Sequence, residues 1–241
     1  MPNDKITGHY SQAYDAELQQ VVERLLEMGT LVQQQLADAL QAFINGDLSL
    51  AQQVVETDRT VNRFEVDIDE QCLEILVRRQ PAANDLRLIL AVLKSINDVE
   101  RIGDHAENIA QHLLDATQSD RPQSAQLDDI QQMGQRVSVM LQQALESFEK
   151  MDAAAALAVL HQDKAIDSDY DRILRHNLTY MLEDTRQISS GLQITWVARA
   201  LERIGDHARN ICQYSIFMAK GQNVTHLSDE ELQQVVDKQR S

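Results

Sequence analysis

Glu100-Arg101-Ile102-Gly103-Asp104-His105 and Glu202-Arg203-Ile204-Gly205-Asp206-His207 are the same six residues set 102 positions apart. Between Val99–Ile109 and Leu201–Ile211, nine of eleven positions are identical. On a helix advancing about 100° per residue, Glu100, Asp104 and Glu107 fall within about 60° of one another, beside the apolar stripe. Upstream, Asp58, Asn62, Glu65 and Asp69 are spaced four, three and four, and flank a stripe of Val61, Phe64, Ile68, Cys72 and Ile75. Both polar bands are offset from their stripes in the same rotational sense, so antiparallel neighbours packed with that hand turn them into one groove. The second half repeats the arrangement, with Asp163, Asp167 and Asp171 facing Glu202 and Asp206. Carboxylates four apart on one helix repel by a few tenths of a kcal/mol, and crowding more of them into a groove costs more unless positive charge sits among them. Two sources of that charge remain open. One is arginine on the same face, and Arg209 does replace Glu107 in the second copy. The other is a bound cation: oxygen ligands favour Mg²⁺, Ca²⁺, Mn²⁺ or iron, and several carboxylates could bridge more than one ion. A solvated acidic face with no ligand would give the same spacing.

Other reactive side chains add little. His105 and His207 lie more than about 100° from the acidic band, which reads as a surface or inter-bundle position rather than a ligand. Neither copy supplies the inward Glu-x-x-His of a di-iron bundle. Gly103 and Gly205 sit on the core stripe, where glycine costs about 1 kcal/mol against alanine; they imply either a close helix approach that assembles the groove or packing against Phe64 or Tyr170. Arg101 and Arg203 are expected to clamp acids on an adjoining helix. Met133, Met140, Met181 and Met218 read as apolar filler, and Trp196 as a core anchor. No Gly-rich phosphate loop, nucleophile elbow or paired-Cys motif is present.

The elements that must carry these residues are helices. Long stretches rich in Ala, Leu, Gln, Glu and Arg, with apolar residues at three- and four-residue steps, predict helices near 10–45, 48–79, 84–116, 127–150, 153–183 and 190–220. Asn45-Gly46-Asp47, Gln80-Pro81, Met151-Asp152 and Ile188–Gly191 mark turns, and Thr117–Gln126 reads as a linker. Asp58–Asn62 returns as Asp163–Asp167 at an offset of 105, so the chain is a tandem repeat of a three-helix unit. The expected architecture is all-α: two tandem, pseudo-symmetric three-helix up-down-up bundles over 8–117 and 125–221, with a polar tail at 222–241. Low aromatic content (4%), three prolines and eight glycines disfavour a β-sandwich or barrel. With 22 basic against 38 acidic side chains the net charge is −16, which argues against direct nucleic-acid binding. Cys72 and Cys212 make no disulfide framework and fit a reducing compartment. No apolar run approaches a membrane span and the N-terminus lacks a secretory pattern, so a cytoplasmic protein is expected.

The duplicated motif, with Arg79-Gln80-Pro81 and Asp85-Leu86-Arg87 ahead of its first copy, resembles the PhoU family of phosphate-transport accessory proteins over about residues 8–221. The resemblance implies multinuclear metal clusters, often of iron or zinc, on Glu/Asp-x-x-x-Asp motifs; manganese or magnesium is what the oxygen donors would add to that choice. Here those match Glu100/Asp104 and Glu202/Asp206, with Asp58, Glu65, Asp69, Asp163 and Asp167 opposite. Asn62 in place of Asp167, and Arg209 in place of Glu107, imply that the two sites differ in affinity, ion count or occupancy. The resemblance further implies negative regulation of the phosphate-starvation response, as a homodimer linking the ATPase subunit of the phosphate ABC transporter to its sensor histidine kinase. A charge of −16 would repel an anionic membrane, so any place at the inner membrane would be held through proteins or bound cations. A metal-free helical scaffold and a metal-dependent phosphohydrolase are the competing readings; the second lacks a recognisable nucleophile or base. The absence of a basic pocket implies that phosphate itself is not sensed here.

Overall fold

A computed structural model describes residues 12–116 and 122–238. Among these, the helix-forming stretches become α1 (Gln12–Asn45), α2 (Leu48–Arg79), α3 (Ala83–Asp115), α4 (Ser124–Glu149), α5 (Ala153–Leu160), α6 (Asp163–Glu183), α7 (Ile188–Lys220) and α8 (Asp229–Asp237). The helices stop where local chemistry says they should. Asp47 starts α2 by accepting from the Leu50 amide, and Asp152 starts α5 by accepting from Ala154 and Ala155, each satisfying amides that have no partner within the helix. Gly46 takes a positive φ before the first of these caps, and Met151 is held at φ 49° at the equivalent place before the second.

α1–α3 and α4–α7 are two three-helix up-down-up bundles, and the second helix of the second bundle is broken. The expected single helix over 153–183 divides at His161-Gln162 into α5 and α6. Gln162 there bonds Gln143 of α4 at 2.7 Å, and Asp163 becomes the first residue of a new helix. The Thr117–Gln126 linker lies outside the described residues at 117–121, and α4 is already formed at Ser124. Past Gly221, α8 folds back with Leu232, Val235 and Val236 buried, and the Lys220 ammonium donates to the carbonyls of Val236 and Lys238 at its end.

The bundles pack through α1 on α4 and α3 on α7, and the contacts repeat under an approximate two-fold. A Cβ on Gly29 would meet Leu145 at 2.8 Å, and one on Gly134 would meet Leu40 at 2.7 Å; both pairs are equivalent at offset 105. Between α3 and α7 the His105 and His207 rings, 5.6 Å apart, sit at the centre. His112 stacks on Trp196 at one side, while Lys94 lies over Tyr214 at the other, 5.6 Å from its ring centre. These pairings run α3 antiparallel to α7. Trp196 is therefore not a core anchor: it is 44% exposed, with one face covered by His112. The symmetry is broken at Asp98, whose carboxylate bonds His207 at 2.6 Å and accepts from Asn210 at 2.9 Å. The equivalent residue is Ala200, and His105, left without such a partner, has its pKa pushed down to about 4, by burial first and then by His207.

Candidate metal centre

The α2/α3 groove is set by glycine. Gly103 faces Asp58 and Val61 of α2, and a Cβ there would lie 3.3 Å from Asp58 Oδ1 and 3.2 Å from Val61 Cγ1. Gly205 meets Ile166 at 3.2 Å and Asp163 at 3.7 Å in the same way. The glycines thus let the two helices approach at the acids, and Phe64 and Tyr170 are not the groups they accommodate. With the helices this close, Asp58, Asp104 and Glu107 each bring a carboxylate oxygen within 4.8 Å of the others'.

Asp58 lies at the bottom, 5% exposed. Gln35 of α1 donates to its Oδ1 at 3.2 Å and Asn62 to its Oδ2 at 3.0 Å. Asn62 therefore serves the cluster through its amide nitrogen. Gln35 is 1% exposed, and its Oε1, aimed at the Gly103 junction, has no hydrogen-bond partner. Glu100 joins from one turn away: burial, then Asp104 and Glu65, push its pKa up to about 7. Burial also raises Asp104 and Glu107, with the Asp58 charge next in both, and raises Glu65 with Asp69 next. Each of these shifts is led by burial, which penalises the charged form, and neighbouring carboxylates add to it. Arg101 bonds Asp104 of its own helix at 3.2 Å rather than an acid on an adjoining one, and Arg203 does the same with Asp206 at 3.1 Å. Asp69 is exposed farther along α2.

The second groove gathers Asp163, Asp167, Glu202 and Asp206, whose charges act on one another; burial, then Asp167, push Asp163 up to about 6. Asp171 is exposed, without a hydrogen bond or ion pair to the groove. Three arginines reach in. Arg209 lies 3.5 Å from Asp163, Arg199 is 3.1 Å from Glu202, and Arg203 clamps Asp206. Among the described residues no triad like that of the first groove forms here.

Sequence reasoning did not single out Gln35 or Arg199. Gln35 interrupts the apolar series Val32, Leu36, Ala39, and a polar residue on a core stripe was the available signal. The donor set of the first groove, carboxylate oxygens around a buried amide oxygen without a partner, fits a hard or intermediate cation.

The model of the PhoU domain matches this chain twice, over residues 25–113 and 130–215. The chain belongs to the PhoU family. A phosphate-specific transport system accessory protein PhoU homolog from Pseudomonas aeruginosa is 44% identical over 237 residues, covering 98% of each chain, and the PhoU of Escherichia coli is 38% identical over 98% of this chain and 97% of its own. The crystal structure of PhoU from P. aeruginosa superposes with a TM-score of 0.83 at 45% identity, covering 87% of this chain and all of that one. The phosphate transport system regulatory protein PhoU from Streptococcus pneumoniae gives 0.81 at 27%, covering 88% and 99%. The PhoU fold is thus shared throughout both repeats, and a regulatory role in phosphate transport comes with it. No helix among the described residues is long and apolar enough to cross a membrane.

Proposed function

We propose that this PhoU protein is a metal-binding adaptor that links the ATPase subunit of the phosphate ABC transporter to the sensor histidine kinase and holds the starvation response off when phosphate is plentiful. The observation that carries the adaptor reading is a duplicated exposed surface. Along α2, Glu65, Asp69, Leu73 and Val77 follow at four-residue steps, so the acidic band runs into apolar side chains near the α2–α3 turn. The α2/α3 register places Leu90 and Leu86 opposite Leu73 and Val77. The second repeat offers Leu178, Leu182, Leu192 and Ile188 at the equivalent positions, and all eight are exposed, Leu182 by 84%. Exposed large apolar groups clustered in this way mark interaction surfaces. Each tip lies 15–19 residues from the His105–His207 crossing, so at 1.5 Å per residue the two point to opposite ends roughly 50 Å apart. One chain can therefore hold two proteins at once.

In the metal centre, Asp58, Asp104 and Glu107 would hold the ion, with Glu100 and Glu65 beside them and Gln35 and Asn62 fixing Asp58. A bound ion would neutralise the crowded carboxylates and tie α2 to α3 next to the docking tip. No catalytic step is assigned, in keeping with relatives named as accessory and regulatory proteins. The test is capture of the purified kinase and ATPase subunits by wild-type chain and by Val77→Asp with Leu182→Asp, both checked for unchanged helicity. Loss of either partner from the double variant is expected; undiminished capture of both would sink the assignment of the tips.

A further inference from the structure

The two grooves occupy equivalent positions, yet four of the residues that differ between them move the second toward positive charge or lower polarity, against one, Asn62 to Asp167, that adds a carboxylate. Gln35 corresponds to Met140, Glu65 to Tyr170, Asn97 to Arg199 and Glu107 to Arg209. In the first groove five carboxylates (Asp58, Glu65, Glu100, Asp104, Glu107) have Arg101 among them, and Arg59 acts on Glu107. In the second, four (Asp163, Asp167, Glu202, Asp206) have Arg199, Arg203 and Arg209. Arg209 Nε is 3.5 Å from Asp163 Oδ2, in the position from which Glu107 approaches Asp58. Arg199 is fixed between Glu202, at 3.1 Å, and the face of Tyr170, 5.5 Å from its ring centre. Asp163 is also the first residue of α6, where helix amides favour a negative charge, whereas Asp58 lies in the middle of the uninterrupted α2. The first groove contains the buried Gln35, with an unpartnered oxygen directed at the junction of α2 and α3, where the second has Met140; the unpartnered buried atoms of the second groove are Glu202 Oε2 and Arg209 Nε.

We infer that Arg209 is a resident counter-ion that closes the second groove to metal, so that this chain loads metal ions in the first groove only. This rests on the metal-binding reading above. A guanidinium whose Nε lies 3.5 Å from Asp163, in ion-pair range without a hydrogen bond, supplies positive charge that the first groove must take from solution, and it occupies the place of the third carboxylate. The two repeats are then a metal-dependent and a metal-independent version of one scaffold.

The test is titration of the full-length chain, freed of metal with EDTA and dialysed, with Mn²⁺ alone, reading stoichiometry and affinity by calorimetry and elemental analysis. Asp104→Asn should weaken Mn²⁺ binding at least tenfold, and Asp206→Asn should leave stoichiometry and affinity unchanged. Arg209→Glu should add binding that Asp206→Asn then removes in the double variant. Loss of bound Mn²⁺ from Asp206→Asn in the otherwise wild-type chain would overturn the inference while leaving the metal reading intact. Failure of both wild type and a folded Arg209→Glu to bind Mn²⁺ would overturn the metal reading itself. Because Asp206→Asn is nearly isosteric and removes charge from a crowded groove, the comparison stands even if Arg209→Glu does not fold.

Discussion

At the scale of single residues, the cost of burying a charge is set by its immediate company, and this chain provides contrasting cases. The Arg79 guanidinium grips Glu17 at 2.6 and 2.8 Å and holds its carboxyl below the usual carboxylate range. A carboxyl held low when folded adds stability that is present above its unfolded value and disappears as the pH falls through the folded one. Glu17→Gln should therefore cost about 1 kcal/mol or less at neutral pH, and urea midpoints of variant and wild type should converge as the pH is lowered through the carboxylate range. Asp98 is a buried case. It receives His207 and Asn210 between the repeats, and Asp98→Ala would leave both without their acceptor, at a cost of about 2 kcal/mol in urea unfolding. The acidic bands themselves were legible in the sequence, because spacings of three and four fix a helix face without reference to any neighbour. Gln35 was not, since nothing in α1 alone says which helix its amide will meet. Arg101 and Arg203 were assigned to adjoining helices, yet an acid three residues on along the same helix was already within reach of each.

At the scale of elements, duplication made the bundles readable. Two copies of one motif at offset 102 mean that any helix placed in the first half predicts one in the second, and among the described residues seven of the eight α-helices answer one another in this way, α5 and α6 together answering α2. What the repeat could not convey was where the copies diverge: the break before Asp163, or the docking of α8 past Gly221. Packing between bundles is also hidden, since a glycine on a helix does not name its neighbour. The reciprocal pairs Gly29/Leu145 and Gly134/Leu40 turn this into a test. A methyl at either glycine must displace a buried leucine, which costs about 1–3 kcal/mol and is offset by up to about 1 kcal/mol of helix propensity. Gly29→Ala and Gly134→Ala should each destabilise by about 1 kcal/mol and by similar amounts. Leu145→Ala should relieve the first and leave the second unchanged, a coupling that a double-mutant cycle in urea measures directly.

At the scale of the whole molecule, 38 acidic side chains against 22 basic ones mean that any cation stabilises the fold somewhat, by screening alone. Specific loading differs in form. An ion that binds only the folded chain stabilises it by an amount that grows with the logarithm of its free concentration above Kd, about 2.7 kcal/mol at a hundredfold excess. For a chain of this size that is a rise in Tm of roughly 5–10 °C. EDTA-treated protein should show that rise with Mn²⁺ at micromolar to millimolar concentration, whereas NaCl of matched ionic strength should give a smaller one. Asp104→Asn with Glu107→Gln should abolish the difference between the two salts. The same variant, having shed two crowded carboxylates, should be at least as stable as metal-free wild type, because the groove's repulsion falls when its charges do. If Mn²⁺ and NaCl act alike on the wild type, the acidic groove is a solvated face, and docking at the apolar tips would have to proceed without metal.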